Sequence, residues 1–190
     1  MKIYRIAIFA SGAGTNAQNI IHYFCKDPLV QIILIAGNNQ SAGIRQVAEL
    51  NNIPFLLVEK NRFKTDGYVR ELTQLKIDTI ILAGFLLKVP IILIKQFSNN
   101  IINIHPALLP KYGGKGMFGM KVHEAVIASN ETKSGITIHL VDEIYDHGKI
   151  IFQATCPIEP EEDANSLCKK VRMLEIKHYP LVISKFISNK

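Results

Sequence analysis

Apolar runs of strand type alternate with helix-type segments through the first half of the chain, and this alternation constrains the fold more than any other feature. Ile3 to Ala10, Val30 to Gly37, Ile53 to Val58, Thr79 to Ala83 and Ile101 to His105 are short, apolar and mostly rich in β-branched residues, as buried strands require. Between them, Asn16 to Phe24, Ala42 to Asn51, Phe63 to Leu75 and Pro90 to Phe97 read as helices. Ile44, Val47, Ala48 and Asn51 fall at helical spacing, and Pro90 suits a first turn. Parallel strands need crossovers of this kind, so the run of βαβ units predicts an α/β fold: a Rossmann-like open, mostly parallel sheet with helices on both faces. After residue 113 come a Gly-rich loop, a helix near Val122 to Ser129, and strands at Gly135 to Val141 and Ile150 to Pro157. Helix within Asp163 to Ser188 closes the chain. The late strands predict an antiparallel extension in the C-terminal half, joined by a turn too long for a tight hairpin.

No Ser/Gly-rich linker or internal repeat interrupts the sequence, and 190 residues suit a single domain over 1–190. A hydrophobic content of 48% with 20% charged residues argues for a folded core and against disorder. The formal charge of +6 comes from scattered Lys and Arg, which favours attraction of small anions and offers no basic block for nucleic acid. Cys25, Cys156 and Cys168 are odd in number and lack metal-site spacing, as expected of core fillers in a reducing cytoplasm. The apolar run after Met1 is too short for a signal sequence, and Lys88 and Pro90 interrupt Thr79 to Ile94 below the roughly 20 apolar residues that span a bilayer. No membrane association is expected.

Within this frame, Ile101 to Tyr112 brings reactive side chains out of an apolar run. Asn103 and His105 are two apart and share one face of a strand. Pro106 removes a backbone donor and favours extended angles at His105, which stops the strand and leaves both side chains at its carboxyl end, where open α/β sheets bind ligands. The same pattern also fits two polar residues that only bond each other and the nearby backbone.

Ser11, Gly12, Ala13, Gly14, Thr15 and Asn16 leave the first strand and enter a helix, where backbone N–H groups and the helix dipole favour an anion. Gly12-x-Gly14-x-x-Ala17 also satisfies the looser dinucleotide fingerprint. A dinucleotide domain would usually present an acid after the second strand, but Gly37-Asn38-Asn39-Gln40 stands there, so a phosphate or phosphoribosyl group is favoured over a dinucleotide. A tight turn without a ligand remains the plain alternative.

Farther on, strand alternation puts Thr137 and His139 on one face and Ile136, Ile138 and Leu140 on the other. Asp142, Glu143 and Asp146 follow in a loop, and spacing alone fits either a solvated turn or a cation site.

Asn103-x-His105-Pro106-x-Leu108-Leu109-Pro110-Lys111-Tyr112, Ser134-Gly135-x-Thr137-x-His139 and Asp146-x-Gly148-x-Ile150-Ile151 together resemble the folate-dependent formyltransferase family. Adding Ser11-Gly12-x-Gly14-Thr15-Asn16 narrows the resemblance to the branch that formylates glycinamide ribonucleotide in purine biosynthesis. The likeness covers essentially the whole chain. The extra domains of the methionyl-tRNA-formylating and formyltetrahydrofolate-hydrolysing branches are not expected in a chain of this length.

The resemblance implies a cytoplasmic enzyme, monomeric or weakly dimeric, that moves a formyl group from 10-formyltetrahydrofolate to the amine of glycinamide ribonucleotide without a metal. It implies Asn103, His105 and Asp146 as the catalytic trio, with Thr137 and His139 supporting. It also implies Ser11 to Asn16 with Arg172 and Glu175 at the ribonucleotide. Phe85, Leu86, Leu87, Lys88 and Val89 are implied at the folate, with Asp142, Glu143, Ile144 and Tyr145. Two stretches depart from the family pattern: Leu86-Leu87-Lys88 where Arg is common, and Gly113 to Met120 in place of a Pro-Gly-x-His form. The implied chemistry suits the residue types, since Asn103 and His105 can donate to a developing oxyanion while Asp146 holds His105 and receives the amine proton. Other readings are a formyltransferase for another amine such as an amino sugar, a dinucleotide oxidoreductase, or a non-catalytic nucleotide-binding module.

Overall fold

The structure, a computed structural model, describes residues 2–40 and 43–190. Its strands are β1 (Tyr4–Ala10), β2 (Val30–Gly37), β3 (Phe55–Leu57), β4 (Thr79–Leu82), β5 (Ile101–His105), β6 (Lys133–Leu140) and β7 (Ile150–Pro157). The helices are α1 (Thr15–Phe24), α2 (Gly43–Leu50), α3 (Asp66–Gln74), α4 (Ile91–Gln96), α5 (Met120–Ala128) and α6 (Ala164–Ser188). The strands order as β3-β2-β1-β4-β5-β6-β7 in one sheet. β1 pairs in parallel with β2 and β4, β2 in parallel with β3, and β6 antiparallel with β7. The expected α/β class with an antiparallel C-terminal extension is therefore the observed one. The chain forms two compact units, Met1–Ile102 and Asn103–Lys190, whose boundary falls inside β5.

In the first unit, β1 is flanked on both edges and Ile6 to Ala10 are fully buried, the continuous apolar pattern of a central parallel strand. Phe9, Phe63 and Phe85 pack as a cluster with centroids 5.4 to 6.1 Å apart, and Tyr68 meets Phe63 edge-on at 5.1 Å. The expected helix from Phe63 to Leu75 is broken: Arg62–Lys64 form one 3₁₀ turn, and Thr65 is the extended cap before α3. Thr65 Oγ1 donates to the Arg62 carbonyl at 2.7 Å, the local bonding by which threonine competes with a continuing helix. β3 is shorter than Ile53 to Val58. Pro90 caps α4 and does not enter it. Ala42, the expected first residue of α2, lies outside the described residues.

In the second unit, α6 begins at an Asp163 cap whose carboxylate accepts the Ser166 N–H at 2.7 Å. α6 packs against β6, β7 and α5. β6 is buried from Ser134 to His139 and starts at Lys133, two residues before the expected Gly135. A register shift between Ile138 and His139 makes β6 and β7 irregular at the position that aims His139.

Candidate active site

Asn103, His105, His139 and Asp146 converge in the second unit. β5 delivers the first two with both histidines almost fully buried, at 3% exposure for His105 and 2% for His139. His139 Nδ1 lies 2.8 Å from the Leu140 carbonyl, which can only accept, so Nδ1 carries a proton and Nε2 is the ring nitrogen turned to Asn103. Asn103 Nδ2 donates to that Nε2 at 3.0 Å, and this fixes which way the carboxamide faces. Its second N–H points toward Asp146 Oδ1 at 3.5 Å, too long for a strong bond, and is the loosely held donor of the cluster.

His105 follows the same logic with its nitrogens exchanged. Nε2 donates to the Tyr112 carbonyl at 2.8 Å, which leaves Nδ1 facing Asp146 Oδ2 at 3.5 Å. Burial is the largest influence on His105 and holds its pKa below the ordinary 6.5, against the opposing charge of Asp146 and the Tyr112 contact. For Asp146 burial is again the largest influence and acts upward. His139, the charge of His105 and the Gly114 N–H, which donates to Oδ2 at 2.9 Å, together outweigh it and hold the carboxyl below its ordinary value. At neutral pH the cluster therefore pairs a neutral His105 with an ionised Asp146.

The loop acids separate by role. Asp146 turns inward, in a left-handed conformation at φ 54° that Asp tolerates. Asp142 instead accepts the Ile144 N–H at 2.8 Å and pairs with exposed His147 at 2.7 Å, which makes it a turn former. Glu143, Ile144 and Tyr145 are exposed. Among the described residues no three or more His, Cys, Asp or Glu side chains are grouped as metal ligands. Gly148 must lack a side chain, because a Cβ would collide with the Leu140 carbonyl.

Thr137 holds the turn after His105. Its hydroxyl donates to the Ala107 carbonyl at 2.7 Å and accepts the Leu109 N–H at 3.0 Å and Gln153 Nε2 at 2.9 Å; Gln153 also donates to the Leu109 carbonyl at 3.1 Å. Gln153, the Tyr112 carbonyl and the Gly114 N–H escaped the reading of the sequence. Backbone groups leave no side-chain signal, and Gln153 lies in a strand without any motif of its own. Arg172 is exposed and Glu175 half-buried on α6.

In the first unit, the Ser11–Asn16 loop joins β1 to α1, and no side chain caps α1. Ser11 Oγ accepts the Leu86 N–H at 2.9 Å, so this loop and the segment Phe85 to Val89 are tied together. Among the described residues, no atom beyond its chain neighbours lies within 4 Å of where a Cβ on Gly12 would stand. Gly14 has φ 81°, and a Cβ there would press on Ile44 and Val47 at 3.1 Å. Gly14 is thus needed for the turn and for packing α1 against α2, and Gly12 is the glycine that lies open. Phe85 and Val89 turn into the core, whereas Leu86 and Lys88 face outward.

Residues 4–183 match the Formyl transferase family. A chloroplastic phosphoribosylglycinamide formyltransferase of Vigna unguiculata is 39% identical over 185 residues, which cover 94% of this chain and 59% of that protein. The phosphoribosylglycinamide formyltransferase of Haemophilus influenzae is 32% identical over 192 residues, 98% of this chain and 88% of that one. The crystal structure of phosphoribosylglycinamide formyltransferase from Bacillus halodurans superposes with a TM-score of 0.87 at 32% identity, covering 97% of this chain and 95% of that one.

Proposed function

The chain belongs to the formyl transferase family, and from that premise we propose that it transfers the formyl group of 10-formyltetrahydrofolate to the amino group of glycinamide ribonucleotide. The observation that carries the reading is the buried cluster of Asn103, His105, His139 and Asp146 at the carboxyl end of β5, which supplies one loosely held N–H donor beside an ionised proton acceptor. Formyl transfer needs both, because attack by a neutral amine puts negative charge on the formyl oxygen and leaves a proton on the nitrogen.

In this reading Asn103 donates its second N–H to the formyl oxygen, while His139 holds the carboxamide in that orientation. Asp146 takes the amine proton, directly or through water, and shares it with His105 Nδ1. The imidazolium so formed keeps Nε2 on the Tyr112 carbonyl and presents Nδ1–H as a second donor. Collapse of the tetrahedral adduct then breaks the bond from the formyl carbon to N10, and that nitrogen takes up the proton as tetrahydrofolate leaves. Thr137 steadies the turn that follows His105. Residues 1–190 act as one catalytic domain. Ser11 to Asn16, with Arg172 and Glu175, take the ribonucleotide; Phe85 to Val89 and Asp142 to Tyr145 take the folate, with Leu86 and Lys88 as the outward-facing contacts of the first segment. No metal enters the scheme, and the enzyme works on small molecules in the cytoplasm.

The test is an assay of purified protein with glycinamide ribonucleotide and 10-formyltetrahydrofolate, following tetrahydrofolate release with each substrate omitted in turn. Release that requires both substrates is expected. Release without the ribonucleotide, or equal turnover with an amino-sugar acceptor, would overturn the assignment.

A further inference from the structure

One turn serves both members of the His105–Asp146 pair. Tyr112 aims its carbonyl at His105 Nε2 across 2.8 Å, and Gly114 donates its N–H to Asp146 Oδ2 at 2.9 Å. Gly113 between them is packed so closely that a Cβ there would collide with Leu109 and press on Asp146. Tyr112 itself has a left-handed backbone at φ 57°, which a bulky residue keeps only where its surroundings hold it there.

Glu131, in the connection from α5 to β6, supplies that hold. The Tyr112 hydroxyl donates to Glu131 Oε1 at 2.9 Å, and the same oxygen accepts Lys111 Nζ at 2.7 Å. The Lys111 and Tyr112 contacts keep the Glu131 carboxyl below its ordinary value, so it is an ionised acceptor at neutral pH. The two bonds differ in weight. Lys111 is 68% exposed, and an ion pair of that kind fixes little. Tyr112 and Glu131 are half-buried, and a hydroxyl bonded to a carboxylate is among the stronger hydrogen bonds. Tyr112 thus reaches from His105, through its carbonyl, to Glu131, through its hydroxyl.

We propose that Glu131 is a positioning residue: by anchoring the Tyr112 hydroxyl it keeps the Tyr112 carbonyl on His105 Nε2 and so holds the ring proton away from Asp146. Without the anchor the carbonyl leaves Nε2, and the proton settles on Nδ1. There it bonds Asp146 Oδ2 and fills the place that the amine proton would take. Asp146, His139 and His123 are the other titratable groups that act on His105, and Lys111 and Lys133 are the cations that act on Glu131. The placement of the proton stands apart from the proposed function; its effect on turnover rests on that function.

Heteronuclear NMR of the full chain with isotope-labelled histidine, at a pH where His105 is neutral, reads which ring nitrogen carries the proton, and His105→Gln assigns the signal. The parent is expected to carry it on Nε2. Glu131→Ala and Tyr112→Phe each shift it toward Nδ1 and lower turnover about tenfold or more, with both Michaelis constants retained. Glu131→Gln keeps an oxygen for the Tyr112 hydroxyl and with it the parent spectrum, and Lys111→Met does the same. Glu131→Ala and Tyr112→Phe remove opposite ends of one bond, so the test stays decisive if either disturbs folding. An unchanged tautomer in the folded variants, or an equal shift in Lys111→Met, overturns the proposal. A shifted tautomer with undiminished turnover upholds the positioning role and counts against the catalytic reading of His105.

Discussion

His105 Nδ1 and Asp146 Oδ2 face each other across 3.5 Å with no proton between them, because the ring proton of His105 is held on Nε2 by the Tyr112 carbonyl. Two lone pairs directed at one another in a buried site form a ready place for a proton. In the proposed reaction that proton comes from the attacking amine.

Asp146→Asn tests that relationship. Asn adopts the left-handed backbone as readily as Asp, so the loop should keep its shape while the proton acceptor is lost. Turnover should fall on the order of 100-fold or more, with ribonucleotide binding retained. Asp142→Asn and Glu143→Gln serve as controls, since they neutralise acids of the same loop outside the catalytic cluster; as proposed folate contacts they should raise the Michaelis constant for the folate and leave turnover nearly unchanged. Equal, small losses in steady-state kinetics for all three would remove Asp146 from the chemistry.

Asn103→Ala removes the loosely held donor and leaves His139 Nε2 without its partner. Loss of one oxyanion donor costs on the order of 100-fold to 1,000-fold in turnover. The folded state can be checked by circular dichroism, and near-normal turnover in a folded variant would exclude the donor role.

The two loop glycines should separate cleanly. Gly12→Val meets no atom of the described residues beyond its chain neighbours at its Cβ, so it should raise the Michaelis constant for the ribonucleotide while the melting temperature stays close to that of the parent. Gly14→Val combines a left-handed backbone with contacts at 3.1 Å to Ile44 and Val47, and should cost about 2 kcal/mol or more of stability. Calorimetry that finds unchanged ribonucleotide affinity in Gly12→Val would detach this loop from the phosphate.

Stability should fall in mild acid. Burial is the largest cause holding both His105 and His123 below 6.5. Near that pH the unfolded chain binds protons that the folded chain refuses, so stability is fully present above about 6.5 and is lost as pH falls toward the folded values. Asp146, held below 3.8, adds a loss of the same sign at lower pH. His123 Nδ1 is buried without a hydrogen-bond partner among the described residues, so His123→Leu should flatten the pH dependence of the melting temperature between about pH 7 and 5. An unchanged slope would show that His123 does not titrate with unfolding.

Elements with a strong local signal were legible in the sequence. β1, β2 and β5 follow apolar runs, and Pro106 marks the end of the strand that bears His105. The break at Thr65 was not legible, since one hydroxyl bond to the Arg62 carbonyl competes with a helix whose apolar spacing continues through it. Asp142, Glu143 and Asp146 were likewise indistinguishable by spacing, because a loop acid turns inward or outward according to what approaches it through space.

By itself, the sequence determined the class of fold and the residue types at the end of β5, because strand period, proline and glycine act through bonds between neighbours in the chain. Only the tertiary structure decided the ring tautomers, the inward turn of Asp146 and the different duties of Gly12 and Gly14. Each of these depends on a group distant in sequence: the Tyr112 and Leu140 carbonyls beside the two imidazoles, the Gly114 N–H at the carboxylate, and Ile44 against α1. Long-range contacts of that kind set direction and protonation, which the order of residues along a strand or loop does not specify.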